Sequence, residues 1–443
     1  MVKKADSQLI KKFNEVRLLN LTREYGPISR IELAKRSRIS KVAVSEIISR
    51  LSEAGFILEV GKGESSLKGG KRPTLIKLNP DNGYVVAIEV KRQQSRIAVA
   101  NLESTILDQD HISYPPQTAP DRVIPQLIEA VTAMLNRRGL NRAKLVSLCL
   151  ALPGFVDYER GRLHFADTLK GWTGYPVAAR FQEAFGVPVI LENDVKASTY
   201  GESQIGAGRG VENLIGLWIG EGIGAGIVIN GKLFRGTSGR AGEVGYLKIG
   251  QLCDDHLRFE FMRGDHQFFG EMLSEGALLD GIRRSYRAGG IAEGPESLDA
   301  ALDSYNPHAE RVRPVLREFG TLLGVICSYL IKAIDPGMIV LNGRLIEDTP
   351  LVLETVTRTI TERMADIPFG AVAVVPGHLR GNAPIKGAVA LALQTVFGRA
   401  SWRSRRLPDG PPGAAEGPKG PPGGQDDLPT DHLAPIAFKR QAH

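Results

Sequence analysis

Between Ser40 and Gly55 the chain sets Lys41, Ala43, Ser45, Ser49 and Arg50 around Val44, Ile47, Ile48 and Leu51 at helical spacing. The apolar four fall on one stripe of a 3.6-residue repeat, leaving Ser40 and the small, polar and cationic side chains on the other face. They fit a DNA major groove without steric conflict and offer donors to base edges and phosphates. Farther on, Gly69-Gly70-Lys71-Arg72-Pro73 joins glycines, which permit close backbone approach, to two cations suited to a narrow minor groove. Both patterns point to recognition of a duplex. A solubilising basic face, or a winged helix turned toward a protein, is the alternative.

The flanking residues supply elements that would hold these groups in place. Phe13, Val16, Leu18, Leu19 and Leu21 give a first helix its apolar content, and Gly26-Pro27 ends it. Ser29 is a suitable cap for a short second helix carrying Ile31, Leu33 and Ala34, and Ser40 caps the third. Strands Phe56–Val60 and Thr74–Leu78 then frame a wing. The charge agrees with this placement: residues 1–80 carry a net +9 and the remainder −2, so the excess of +7 is confined to the first segment. A localised basic excess is the electrostatic footprint of a phosphate-binding module.

A chain of 443 residues exceeds one ordinary domain, and its 42% hydrophobic and 24% charged composition excludes a wholly disordered chain. No signal peptide is evident, and no apolar run is read as reaching membrane-spanning length. The three cysteines, Cys149, Cys253 and Cys327, are far apart and suggest neither a disulfide framework nor a metal knuckle, which fits a reducing cytoplasm. The expected organisation is a DNA-binding segment at 1–80, an α/β body at 83–397 where apolar strand-like runs alternate with helical patterns, and a Pro/Gly-rich tail at 399–443. That tail has too little apolar surface to offset its ordering entropy and is expected to be disordered.

Within the body, LALPGFVD, ENDVKASTYGE, GEGIGAGIVINGKLFRG and GRAGEVGY follow one another in an order that resembles the ROK family of repressors and sugar kinases. The resemblance implies a winged helix-turn-helix followed by an actin-like ATPase fold of two α/β lobes with a sugar cleft between them. It also implies sugar-binding roles for Gly154, Asn193, Asp194, Glu243 and Tyr246, with Asp194 in the place of the kinases' catalytic base. Amide and carboxylate groups together suit a polyol, since paired donors and acceptors fix adjacent hydroxyls. Read without the resemblance, Asp194 simply caps the following helix.

Three departures from the family's kinases bear on function. The first phosphate turn of the kinases contains two glycines, whereas Glu89-Val90-Lys91-Arg92-Gln93-Gln94-Ser95 contains none, so the backbone has lost the freedom for close approach. The second turn, Gly220-Glu221-Gly222-Ile223-Gly224, carries a carboxylate that would repel a triphosphate, at about 4 kcal/mol per charge pair for an effective dielectric of 20. On the adenosine side, Asn342-Gly343-Arg344 replaces a double glycine. The family's structural zinc is also not expected: Tyr246 stands where its histidine ligand belongs, and Cys253, His256, Asp265 and His266 match no tetrahedral spacing. No catalytic residue, cofactor or metal is therefore assigned. The expected function is a repressor of carbohydrate genes that binds a palindromic operator as a homodimer or homotetramer and responds to a sugar or sugar phosphate, away from any membrane. A sugar kinase using ATP and a ligand-insensitive repressor remain the alternatives.

Overall fold

The computed structural model describes residues 2–64, 72–248, 259–261, 268–303, 306–365 and 372–398. Helix α1 (Val2–Tyr25) stops before Gly26-Pro27, and the short strand β1 (Ile28–Ser29) follows. The Ser29 hydroxyl accepts the Glu32 N–H to start α2 (Arg30–Ser37), and the Ser40 hydroxyl accepts the Ala43 N–H to start α3 (Lys41–Glu53). Each cap satisfies an N–H that the helix itself leaves free, a contribution of about 1 kcal/mol. Strands β2 (Ile57–Lys62) and β3 (Thr74–Leu78) pair antiparallel, with β1 on the other edge of β3. The first wing strand thus starts and ends later than the sequence reading has it: the Phe56 N–H is drawn to Leu51 C=O, and a bulge lies between Glu59 and Gly61. Leu18, Leu19, Leu33, Val44, Ile47, Ile48, Leu51, Ile57, Ile76 and Leu78 close the core of this unit, each side chain contributing about 1.5–3 kcal/mol on burial. Phe13 and Ile31, which add to the apolar content of α1 and α2, are exposed.

The two lobes repeat one pattern. In the first, β4 (Tyr84–Val90), β5 (Gln94–Asn101) and β6 (Ile106–Ser113) run antiparallel; α4 (Pro120–Arg137) leads to β7 (Leu145–Leu152), which lies parallel to β4. The small hairpin β8 (Phe155–Asp157) and β9 (Arg162–Phe165) and helix α5 (Val177–Phe185) precede β10 (Val189–Asn193), which lies parallel to β7. Helix α6 (Asp194–Ile205) then enters the second lobe, where β11 (Leu214–Ile219), β12 (Ile223–Ile229) and β13 (Lys232–Phe234) again run antiparallel. After α7 (Phe269–Met272), α8 (Glu275–Ala288), α9 (Leu298–Leu302) and α10 (Ala309–Ile334), strand β14 (Met338–Asn342) lies parallel to β11. Helices α11 (Arg344–Asp348) and α12 (Pro350–Met364) precede β15 (Ala373–Pro376), and α13 (Ala383–Phe397) returns to the first lobe. The β4–β5 turn and the β11–β12 turn are therefore equivalent positions in a duplicated fold.

One sequence reading needs correction. Helix α10 is long and apolar enough to cross a membrane by length and composition, but 67% of its most apolar window is buried. Its Gly320 and Gly324 face Thr355 and Thr359 of α12, and Leu322, Leu323 and Ile326 belong to the second lobe's core. Helix α10 is a core helix.

Helices α6 and α13 join the lobes: α6 packs on β11 and β12, α13 on β4 and β7, and the two pack on each other. A Cβ on Gly201 would lie 2.9 Å from the backbone of Gly387, and one on Gly387 would overlap the Ala197 carbonyl. Replacing Gly387 by Ala is therefore expected to destabilise the protein by about 2–3 kcal/mol, although helix propensity alone favours Ala. Gly381→Ala, where a Cβ meets nothing within 4 Å, is the control and should be nearly neutral. Urea midpoints measure both; a stabilised Gly387→Ala protein would contradict the close crossing.

Candidate functional site

On α3 the buried stripe is Val44, Ile47, Ile48 and Leu51, which leaves Lys41 and Arg50 exposed and Ala43, Ser45 and Ser49 half-buried. Val42, 70% exposed, shares their face and was not singled out from the sequence; its position three and seven residues before Ser45 and Ser49 is the signal. Two neighbouring cations on α2 are committed elsewhere. Arg36 holds Glu32 at 2.9 Å and covers the Tyr25 ring, and Arg30 lies 3.6 Å from Glu59. Lys41 and Arg50 take part in none of the ion pairs found among the described residues. Arg72 is exposed beside β3, whereas Gly69, Gly70 and Lys71 lie outside the described residues.

Helix α1 rests against the end of α13. Asn20 Nδ2 donates to the Phe397 carbonyl at 2.8 Å, and the Arg23 guanidinium lies 4.5 Å from the centre of the Phe397 ring. Tyr200 of α6 hydrogen-bonds Gln394 of α13 and feels the charge of Arg23. A continuous set of contacts thus runs from α6 through α13 to α1.

At the start of α6 the chain gathers the residues attributed to a sugar pocket. Gly154 has φ +91, and its carbonyl accepts the Asn193 amide at 3.0 Å. Asn193 Oδ1 in turn accepts the Lys196 N–H at 3.0 Å, so Asn193, not Asp194, is the helix cap. Asp194 Oδ1 accepts the N–H of Val195 at 2.9 Å. Burial, and next the Glu89 carboxylate, push its acid up to about 6, against the pull of Val195 and Lys91. Glu243 meets the buried ammonium of Lys196 at 3.2 Å, while Lys196 also donates to Gly239 C=O at 2.7 Å. Burial still raises the Glu243 acid, Lys196 opposing it. Tyr246 lies one short turn from Glu243, and its ring packs 5.4 Å from that of Phe155. Lys196 and the Arg235–Glu192 pair, 2.6 Å apart beneath the pocket, were not found from the sequence, because partners 43 residues apart leave no local pattern.

The two equivalent hairpin turns differ. In the first, the Lys91 N–H donates to Gln94 C=O across Arg92 and Gln93, with no glycine at the bend. Glu89, only 1% exposed, is held by Lys91 at 3.1 Å and by Arg96, which also reaches Asn382 Oδ1 at 3.0 Å and Gly381 C=O at 2.6 Å. This brace ties the first sheet to the segment entering α13. In the second turn Gly220 and Gly222 are retained around the exposed Glu221. Gly343, φ +119, lies so close to the Ile219 carbonyl that no side chain fits, and Arg344 pairs with Asp299 and Asp348. Among the described residues no group of three His, Cys, Asp or Glu is placed to hold a metal ion. Cys253, His256, Asp265 and His266 lie outside them, and Tyr246 offers a phenol where the zinc-binding pattern needs an imidazole.

The raised Asp194 acid has a definite consequence for pH. Folding holds its proton above the ordinary carboxyl value, so its contribution to stability is full below pH 4 and falls as pH rises through about 6. Melting temperatures of wild type and Asp194→Asn compared from pH 4.5 to 7.5 should diverge in that window, the variant gaining relative stability toward neutrality. Parallel profiles would contradict the assignment.

Comparison with known proteins agrees with this architecture. The pattern that defines the ROK family matches residues 85–395. The xylose repressor of Bacillus spizizenii is 28% identical over 394 residues, 88% of this chain and 97% of the relative. The DNA-binding transcriptional dual regulator NagC of Escherichia coli is 24% identical, covering 88% of this chain and 94% of its own. Among solved structures, a ROK family transcriptional regulator homologous to the E. coli MLC protein matches 88% of this chain at a TM-score of 0.71 and 22% identity, over 98% of its own length. The ROK hexokinase of Thermus thermophilus matches 71% of this chain and 99% of its own at a TM-score of 0.58 and 24% identity.

Proposed function

Because the chain belongs to the ROK family, we propose that it is a transcriptional repressor of carbohydrate genes, with α3 and the wing reading DNA and the cleft between the lobes sensing a sugar. The observation that carries this reading is the face of α3, where Lys41, Val42, Ser45, Ser49 and Arg50 stand out from a buried apolar stripe while Arg30 and Arg36 are paired with Glu59 and Glu32. Lys41 and Arg50 supply charge for phosphates, the serines donate to phosphates or base edges, and Val42 provides an apolar contact for a thymine methyl. The relatives named repressors span 88% of the chain, including a share that the hexokinase does not reach. A homodimer or homotetramer acting in the cytoplasm would set two such helices against a palindromic operator.

The sugar reading draws on Gly154, Asn193, Asp194, Glu243 and Tyr246. An ionised Asp194 accepts two hydroxyl donors, and Lys196 keeps Glu243 oriented. The sugar, or its phosphate, acts by preferring one lobe arrangement, since a ligand shifts an equilibrium only through unequal affinity for its states. Movement at the start of α6 then bears on α13 and, through Phe397, on Asn20 and Arg23 of α1.

A sugar kinase is the second reading. It is favoured by Asp194, whose acid near 6 suits a general base. Against it stand Glu89, already neutralised by Lys91 and Arg96 where a phosphate would need donors, and the exposed Glu221 in the second turn. These two carboxylates do not fit the phosphates of ATP.

Operator binding by fluorescence polarisation tests the first reading. Arg50→Ala should weaken binding about tenfold or more, and Lys41→Ala should lower the slope of log affinity against log salt by about one. Undiminished binding in both variants would contradict it. ADP release on addition of ATP and hexoses would establish the kinase reading instead.

A further inference from the structure

We propose that the effector is a glycoside of at least two rings, one seated at Asn193, Asp194 and Glu243 and the second lying on an aromatic rim formed by Phe155, Phe165 and Tyr246. The inference rests on the sugar-sensing reading above and adds a subsite to it.

The rim is continuous with the pocket in the chain itself. Phe155 follows Gly154, whose carbonyl holds the Asn193 amide, and β8 pairs with β9 so that Phe155 faces Phe165 across the hairpin. Their ring centres lie 5.8 Å apart. Tyr246, three residues after Glu243, packs against Phe155 at 5.4 Å and meets Phe268 edge-on at 6.4 Å. Its phenol lies near enough to Glu243 and Asp167 for both carboxylates to resist its ionisation, after burial.

These rings are wet where a globular chain would ordinarily cover them. Phe165 is 41% exposed and Tyr246 49%, with Phe155 half-buried between them. The exposed large aromatic side chains among the described residues are Phe13, Tyr25, Tyr158, Phe165, Phe234 and Tyr246. Phe13 and Tyr25 belong to α1. Of the others, Phe165 and Tyr246 are in the rim, while Tyr158 stacks on Arg235, the partner of Glu192, and Phe234 adjoins that arginine. Exposed rings gathered beside one polar pocket mark a binding surface rather than scattered surface residues. A pyranose ring has a matching division, with hydroxyls around its edge and C–H groups on its faces. The face suits an aromatic ring, and the edge suits donors such as Arg240, whose guanidinium lies 5.3 Å from the Phe155 ring centre. A single ring that satisfies Asn193, Asp194 and Glu243 leaves the rim wet. A second ring on the same glycoside covers it.

Calorimetry on the full chain tests the proposal with glucose, xylose and N-acetylglucosamine against cellobiose, xylobiose and chitobiose. One disaccharide is expected to bind at least tenfold more tightly than its monosaccharide. Phe165→Ala should abolish that advantage while leaving the monosaccharide within twofold, and Phe165→Trp should restore it. Equal binding of the two sugars, or equal weakening of both by Phe165→Ala, would overturn the rim and leave the sensing reading intact. Failure of every sugar to bind would overturn both. Tighter binding of p-nitrophenyl β-glucoside than of cellobiose, lost in Phe165→Ala, would reject a sugar as the second ring. Loss of self-association in Phe165→Ala by sedimentation, with disaccharide binding unchanged, would assign the rim to a second copy of the chain instead.

Discussion

The close crossing of α6 and α13 is the contact on which the rest of the structure depends. Gly201 and Gly387 let the two backbones meet without intervening side chains, so each helix can carry its own lobe's sheet and still pack on its neighbour. The start of α6 is Asn193 and Asp194, the pair proposed to hold a sugar, and the end of α13 is Phe397, which receives Asn20 and Arg23. Contact this tight resists gradual deformation, and packed interfaces of this kind move between discrete arrangements. It offers the proposed sensor a short mechanical route to the DNA-reading helices, which belong to the same compact unit as the lobes.

The duplicated hairpins show how the cleft is altered without loss of fold. Both turns join antiparallel strands at the same place in their sheets, yet one has become a braced ion cluster and the other keeps its glycines. Glu89 is nearly inaccessible, and removing either of its cationic partners would leave a buried charge with less compensation, a change of several kcal/mol. The cluster is therefore structural where it stands. Its extension through Arg96 to Gly381 and Asn382 ties the first sheet to the approach to α13. The same carboxylate raises the Asp194 acid across the cleft floor, so brace and pocket are electrostatically joined.

Features set by neighbouring residues were legible from the sequence. Ser29 and Ser40 cap as expected because a hydroxyl three residues before an N–H needs no distant partner. The end of α1 at Gly26-Pro27, strand β3 and the buried stripe of α3 follow from equally local rules. The order of the pocket motifs carried the two-lobed architecture. What stayed hidden depends on residues far apart in the chain. Glu89 read as part of a turn that has lost its glycines, whereas Arg96 makes it an anchor; Lys196 drew no reading of its own within ENDVKASTYGE, whereas Glu243 and Gly239 hold its buried ammonium. Asp194 looked like a helix cap because it opens α6, but Asn193, one residue earlier, has the extended backbone a cap requires.

In the proposed mechanism, cleft and DNA face share one equilibrium. Linkage measures it most directly: operator affinity with and without a saturating sugar, and affinity for the same sugar with and without operator, on the intact protein. Sugar is expected to weaken operator binding, and operator to weaken sugar binding by the same factor. A sugar that binds tightly while operator affinity stays constant would contradict it.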